Sequence, residues 1–63
     1  MAFLKRRDVE RRVGISTATL YRWIGEGRFP RPVKIGPSCV RWPEAEIETW
    51  ASERIAERDA EAA

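Results

Sequence analysis

Apolar residues recur at helical spacing through the first third of the chain, then give way to strand-like alternation. Val9 and Val13 lie four apart, with Arg7, Arg11 and the Asp8/Arg12 pair around the rest, which predicts a first helix from Arg6 to Val13. Gly14 follows the last periodic residue, the usual place for a left-handed helix cap. Ile15 is the packed residue of the turn. Ser16 suits the N-cap of a second helix, because its hydroxyl can accept from an orphan amide one turn in. In that helix Leu20 and Ile24 are four apart, with Trp23 on the same side and Tyr21 on its border. Ala18, Thr19, Arg22 and Glu26 fall opposite at 100° per residue. The helix should end near Glu26, weakened by Gly25 and capped in the left-handed region by Gly27.

The two prolines of Arg28-Phe29-Pro30-Arg31-Pro32 forbid helix and favour an extended path. Val33-Lys34-Ile35 and Val40-Arg41-Trp42 are short alternating runs around a four-residue loop, Gly36 to Cys39. They predict a β-hairpin, apolar on one face and basic on the other. Pro43 suits the first position of a third helix, with Glu44, Glu46 and Glu48 in its opening turns. Ile47, Trp50 and Ile55, with Ala51 between, form its apolar stripe. Phe3 and Leu4 read as an extended lead-in, and residues 57–63 have little to bury and should fray. The expected fold is a mainly α, compact winged helix-turn-helix occupying residues 1–63 as one domain: two helices, a two-stranded wing and a C-terminal helix. Its core would comprise Val9, Val13, Ile15, Leu20, Trp23, Ile24, Phe29, Val33, Ile35, Val40, Trp42, Ile47 and Trp50, with Leu4 and Ile55 at the edge.

Size sharpens this reading. A chain of 63 residues is one domain and buries only ~60% of its unfolded surface. Its three Trp, two Phe and one Tyr are therefore valuable packing material, and each tryptophan is expected in the core rather than as a platform for bases. Cys39 is the lone cysteine and there is no histidine, so neither an internal disulfide nor a four-ligand zinc site is available. No metal or cofactor is expected, and Cys39 reads as a neutral loop residue. No apolar run approaches the ~20 residues of a membrane span, and the basic start lacks a signal-peptide core, so a cytoplasmic location is expected.

Charge changes the picture more. Residues 1–42 carry ten Lys and Arg against three Asp and Glu, whereas residues 43–63 carry two against seven. A basic body with an acidic end suggests that the first part faces a polyanion. Two short helices joined by a tight turn, followed by a basic hairpin, form the pattern of a helix-turn-helix DNA reader. Arg22 is the candidate for a guanine edge. Ser16, Thr17 and Thr19 lie at the helix start, where phosphates are favoured, and Ala18 is small enough to touch a thymine methyl. Tyr21 is divided between phosphate contact and packing. Lys34 and Arg41 on the wing, and Arg28 and Arg31 at the corner, are candidates for the backbone or minor groove. Arg6, Arg7, Arg11 and Arg12 supply diffuse attraction. With no histidine, no phosphate-binding glycine loop and no nucleophile beside a base, an enzyme is not expected.

The order Val13-Gly14-Ile15-Ser16, Thr19-Leu20-Tyr21-Arg22-Trp23-Ile24, Gly27-x-Phe29-Pro30-x-Pro32-Val33-Lys34-Ile35-Gly36, Val40-Arg41-Trp42, then Glu46-Ile47 and Trp50, resembles the AlpA-type prophage regulators. These are related to phage excisionases, within the MerR-like winged-helix group. The resemblance runs from about Leu4 to Ile55. One departure is the start of the first helix, where Arg6 and Arg7 replace a more usual apolar or capping residue. The resemblance implies a sequence-specific double-stranded DNA-binding protein of a mobile element, acting as transcriptional regulator, as excisionase, or as both. It also implies DNA bending at several neighbouring sites. Neighbouring copies bound cooperatively, and an integrase, are the further partners to expect. The alternative is a protein-interaction or DNA-packaging adaptor on the same fold.

Overall fold

The computed structural model describes residues 2–62. The chain runs β1 (Phe3–Leu4), α1 (Arg6–Val13), α2 (Thr17–Gly25), β2 (Val33–Gly36), β3 (Cys39–Pro43) and α3 (Glu44–Ala62). This is the winged helix-turn-helix expected from the sequence, with one strand more. Phe3 and Leu4 are a strand rather than a lead-in: they pair antiparallel with β3, Phe3 opposite Pro43 and Leu4 opposite Trp42. The sheet order is β1-β3-β2, so β3 is central. Pro43 closes β3 instead of opening the third helix. The pairing with β1 continues one step further through Glu44 N, which donates to the Ala2 carbonyl at 2.9 Å.

Both helix-turn caps form as the glycines require. Gly14 has φ 79°, and the amides of Gly14 and Ile15 both donate to the Glu10 carbonyl, at 2.7 and 3.2 Å. Gly27 has φ 74°; its amide donates to Ile24 O and that of Arg28 to Trp23 O, the paired pattern that closes a helix on a left-handed residue. At the start of α2, Ser16 Oγ accepts from Thr19 N at 3.2 Å. At the start of α1, Asp8 Oδ2 accepts from Lys5 N at 3.1 Å.

Leu4, Val9, Leu20, Phe29, Trp42 and Ile47 form the buried core, and Val13, Ile15, Trp23, Ile24, Val40 and Trp50 pack around it half-buried. Complete burial of Val9 and Leu20 contributes roughly 1.5–3 kcal/mol each. Trp42 is fully buried, and its indole N–H donates to Pro30 O at 2.9 Å, tying the sheet to the proline corner. Trp50 Nε1 donates to Arg28 O at 2.9 Å from a more open position. Leu4 belongs to the core rather than its edge, because β1 lays it beside Trp42.

The wing corrects the sequence reading. Val33 pairs with Arg41, and Lys34 with Val40. Residues directly opposite in an antiparallel pair share a face, so each face carries one apolar and one basic residue. The hairpin is not apolar on one side and basic on the other. Val40 faces the core while Val33 faces outward with Arg41, which leaves Val33 41% exposed. Between Lys34 and Gly36 the register shifts by one, and Ile35 is carried out of the core, 52% exposed. The loop is shorter than expected: Gly36 pairs with Cys39, and only Pro37 and Ser38 lie between the strands. Cys39 therefore opens β3. A Cβ at Gly36 would stand 3.3 Å from that of Cys39, tighter than ordinary packing.

In α3 the buried stripe ends early. Ile47 is in the core and Trp50 and Ala51 are half-buried, but Ile55 is exposed and not at the core edge. All side chains from Ser52 to Glu61 are exposed. The helix nevertheless runs unbroken to Ala62; of the segment expected to fray, Ala63 lies outside the described residues.

Candidate nucleic-acid interface

Helix α2 is held from behind. Leu20 is fully buried, and Ile24 and Trp23 pack beside it. Its outward surface is formed by Ala18, Tyr21, Arg22 and Gly25, all exposed. Tyr21, 48% exposed, belongs to this surface. Two of the four residues are nearly without side chain, so the surface is low apart from the arginine and the tyrosine. Arg22 has no carboxylate within ion-pair distance among the described residues.

The hydroxyls at the start of α2 are engaged inside the protein. Ser16 Oγ donates to Thr19 Oγ1 at 3.0 Å. Thr17 Oγ1 donates to Glu10 Oε2 at 2.7 Å, and the same carboxylate oxygen pairs with Arg6 Nε at 3.2 Å. Glu10 thus links α1 to the first residue of α2 and fixes how the two helices meet.

The other candidate cations do not share one side, and Lys34 and Arg41 stand on opposite faces of the hairpin. Arg28 stands over the Trp23 ring at 5.7 Å and approaches Glu26 at 3.5 Å, on the side where Trp50 packs, tilted, against both Trp23 and Phe29. That position separates it from Tyr21, which lies about 200° around the helix from Trp23. Arg31 and Lys34 are exposed, and neither they nor Arg41 forms an ion pair among the described residues. Arg41 is half-buried and its guanidinium donates to Val40 O at 2.8 Å. Near it, Tyr21, Ser38, Val40 and Arg41 border an open concavity with Lys5, Arg6 and Arg7. These last three were visible in the sequence only as general basic charge. Their place beside the wing depends on β1, and a two-residue strand leaves almost no periodic signal.

A second, apolar groove of about 500 Å³ opens among Val13, Ile15, Trp23, Ile47, Trp50 and Ile55. It shares no residue with the basic concavity. Trp23 and Trp50 are therefore core-edge residues on another side of α2 from Tyr21. Among the described residues no group of His, Cys, Asp and Glu is arranged to hold a metal ion, and no helix is long and apolar enough to cross a membrane.

Comparison with known proteins gives this architecture a lineage. The chain is 38% identical over 56 residues to an uncharacterised protein, ORF88, of Enterobacteria phage P4, covering 89% of this chain and 64% of that protein. It is 35% identical over 52 residues to the DNA-binding transcriptional activator AlpA of Escherichia coli strain K12, covering 73% of this chain and 74% of that protein. The chain thus spans just under two thirds of the phage relative's length. The model of the prophage CP4-57 regulatory protein (AlpA) family matches residues 2–55, from β1 through the packed half of α3, and the chain belongs to that family.

Proposed function

We propose that this chain is a sequence-specific double-stranded DNA-binding regulator of a mobile element, with α2 in the major groove and the hairpin beside the adjacent backbone or minor groove. The observation that carries the reading is the outer surface of α2. It presents an unpaired Arg22 between the small residues Ala18 and Gly25, on a helix anchored by Leu20. A helix ~10–12 Å across fits a major groove ~12 Å wide, and low side chains let it sit deep. The K12 relative's description as a DNA-binding transcriptional activator supports the same reading.

In this docking Arg22 reads a base edge and Ala18 lies against the groove floor. Tyr21, Lys34, Arg41 and Arg31 approach the backbone. Ser16, Thr17 and Thr19 hold the helix start, and Arg28 contributes from the flank. A single module of this size buries only ~600–1,000 Å² on DNA, so useful affinity comes from neighbouring copies bound cooperatively at repeated sites. Regulation of transcription and action as an excisionase beside an integrase both use this mode of binding.

The test begins with selection of preferred sites from a random duplex pool, followed by titration at several salt concentrations. Arg22→Ala should flatten sequence preference by ~1–3 kcal/mol at one base pair. Lys34→Ala should weaken all duplexes alike and reduce the salt slope by about one. Unchanged binding in both variants refutes the docking.

A further inference from the structure

The basic concavity beside the wing does more than add diffuse attraction. We infer that it seats one phosphate of the DNA backbone, a contact made by Lys5, Arg7 and Arg41 together with the hydroxyls of Tyr21 and Ser38. The inference rests on the DNA-binding reading above and extends it to a site of its own.

The concavity has a volume of about 300 Å³ and is built from separate parts of the chain: the start of α1, the exposed side of α2, the hairpin turn and β3. Four cationic side chains border it and no carboxylate does. Of the two carboxylates of α1, one is turned to a backbone amide and the other neutralises one cation of the rim. Asp8 accepts from the Lys5 backbone amide, and Glu10 accepts from Thr17 and pairs with Arg6. Lys5, Arg7 and Arg41 have no ion-pair partner among the described residues. The contrast with the Trp23–Trp50 side is direct, since Arg28 and Arg54 there each lie against a glutamate, Glu26 and Glu57. Like charges gathered around one hollow repel one another, and an anion inside it removes that repulsion.

The occupant follows from what the concavity adjoins. Tyr21 borders it and also belongs to the outward surface of α2 that carries Arg22. In that docking a strand edging the groove entered by α2 runs over the hollow, between Tyr21 on one rim and Arg41 and the wing on the other. An open, shallow hollow suits a phosphate on a continuous backbone. With hydroxyls and cations on different elements, the contact would set the tilt of α2 in the groove as well as add affinity.

The experiment uses the full chain and duplexes bearing the selected site, with single methylphosphonate linkages moved along each strand. Arg7 is exposed and without an internal partner among the described residues, so Arg7→Gln leaves the fold intact, which a thermal melt verifies. The expected result is weaker binding to every duplex with unchanged sequence preference. The salt slope should fall by about 0.9, so that between 50 and 200 mM salt the variant loses about 3.5-fold less affinity than the parent. One methylphosphonate position per site should weaken the parent and leave Arg7→Gln unaffected. Lys5→Gln should behave similarly, whereas Arg11→Gln, one turn further along α1 and outside the lining of the hollow, should respond to that linkage as the parent does. Parental salt slope and parental methylphosphonate response in both Arg7→Gln and Lys5→Gln would overturn the seat while leaving the DNA-binding reading intact. Absence of DNA binding by the parent chain overturns both. Saturation of the hollow by inorganic phosphate, with no effect of Arg7→Gln on DNA, would show a free-anion site and overturn the backbone assignment.

Discussion

Trp42→Phe should cost this domain a large part of its stability. Trp42 is fully buried at the centre of the sheet, with Leu4 opposite it and the Pro30 carbonyl 2.9 Å from its indole nitrogen. Phenylalanine keeps an aromatic ring but removes the N–H donor. Loss of that hydrogen bond costs about 1 kcal/mol. The smaller ring leaves a void whose walls lose their contacts, adding about 1–2 kcal/mol. The sum, about 2–3 kcal/mol, stands against a total of about 3–9 kcal/mol for a domain of this length. At this size the melting temperature should fall by roughly 10–20 °C. Circular dichroism at 222 nm follows the melt, and urea titration gives the free energy. Trp50→Phe is the control. Its indole also donates to a carbonyl, at the same 2.9 Å, but from a position that water reaches. The ring's contacts with Phe29 and Trp23 survive in part, so its cost should stay below about 1 kcal/mol. An equal or larger loss in Trp50→Phe would refute the argument that burial at the centre of β3 decides the difference.

Three further predictions concern the backbone and the acidic end. Gly14→Ala should destabilise the fold by about 1–2 kcal/mol in denaturant titration, because φ 79° strains any Cβ even where space is open. Gly25→Ala should stabilise by up to about 1 kcal/mol, since Gly25 is helical and its added methyl meets nothing. Truncation after Ala56 should lower helix content while changing the melting temperature by only a few degrees, because the exposed residues removed contribute no core contact. A large thermal loss would show that the acidic end supports the fold.

The helices were legible because several local signals agreed. Val9 with Val13, and Leu20 with Ile24, marked the buried faces, while Gly14, Ser16 and Gly27 marked the ends, and the caps form at those residues. The hairpin was legible as an element but not in its register. Val33-Lys34-Ile35 and Val40-Arg41-Trp42 alternate identically, so the pattern alone favours aligning apolar with apolar. The two-residue turn and the shift at Ile35 set a different pairing, and one step of register exchanges the faces. On the outward side of α2 helical periodicity placed Ala18 and Arg22 correctly, but Thr19 is half-buried beside Ser16 and Tyr21 stands on the surface instead. The engagement of Thr17 with Glu10 was not, because it depends on the angle between two helices rather than on spacing within one. Lys5 and Arg7 were hardest to place, since their position depends on a strand of only two residues.

That short strand also has a consequence in time. Leu4 finds its partner only when Trp42 has been made, because β1 and β3 lie near opposite ends of the packed region. During synthesis α1 and α2 emerge first, with Val9 and Leu20 still lacking the cover that Trp42 and Ile47 later provide. Until β3 leaves the ribosome the nascent helix pair is a sticky, unfinished half-core, and the finished sheet closes in one late step that joins β1 to β3.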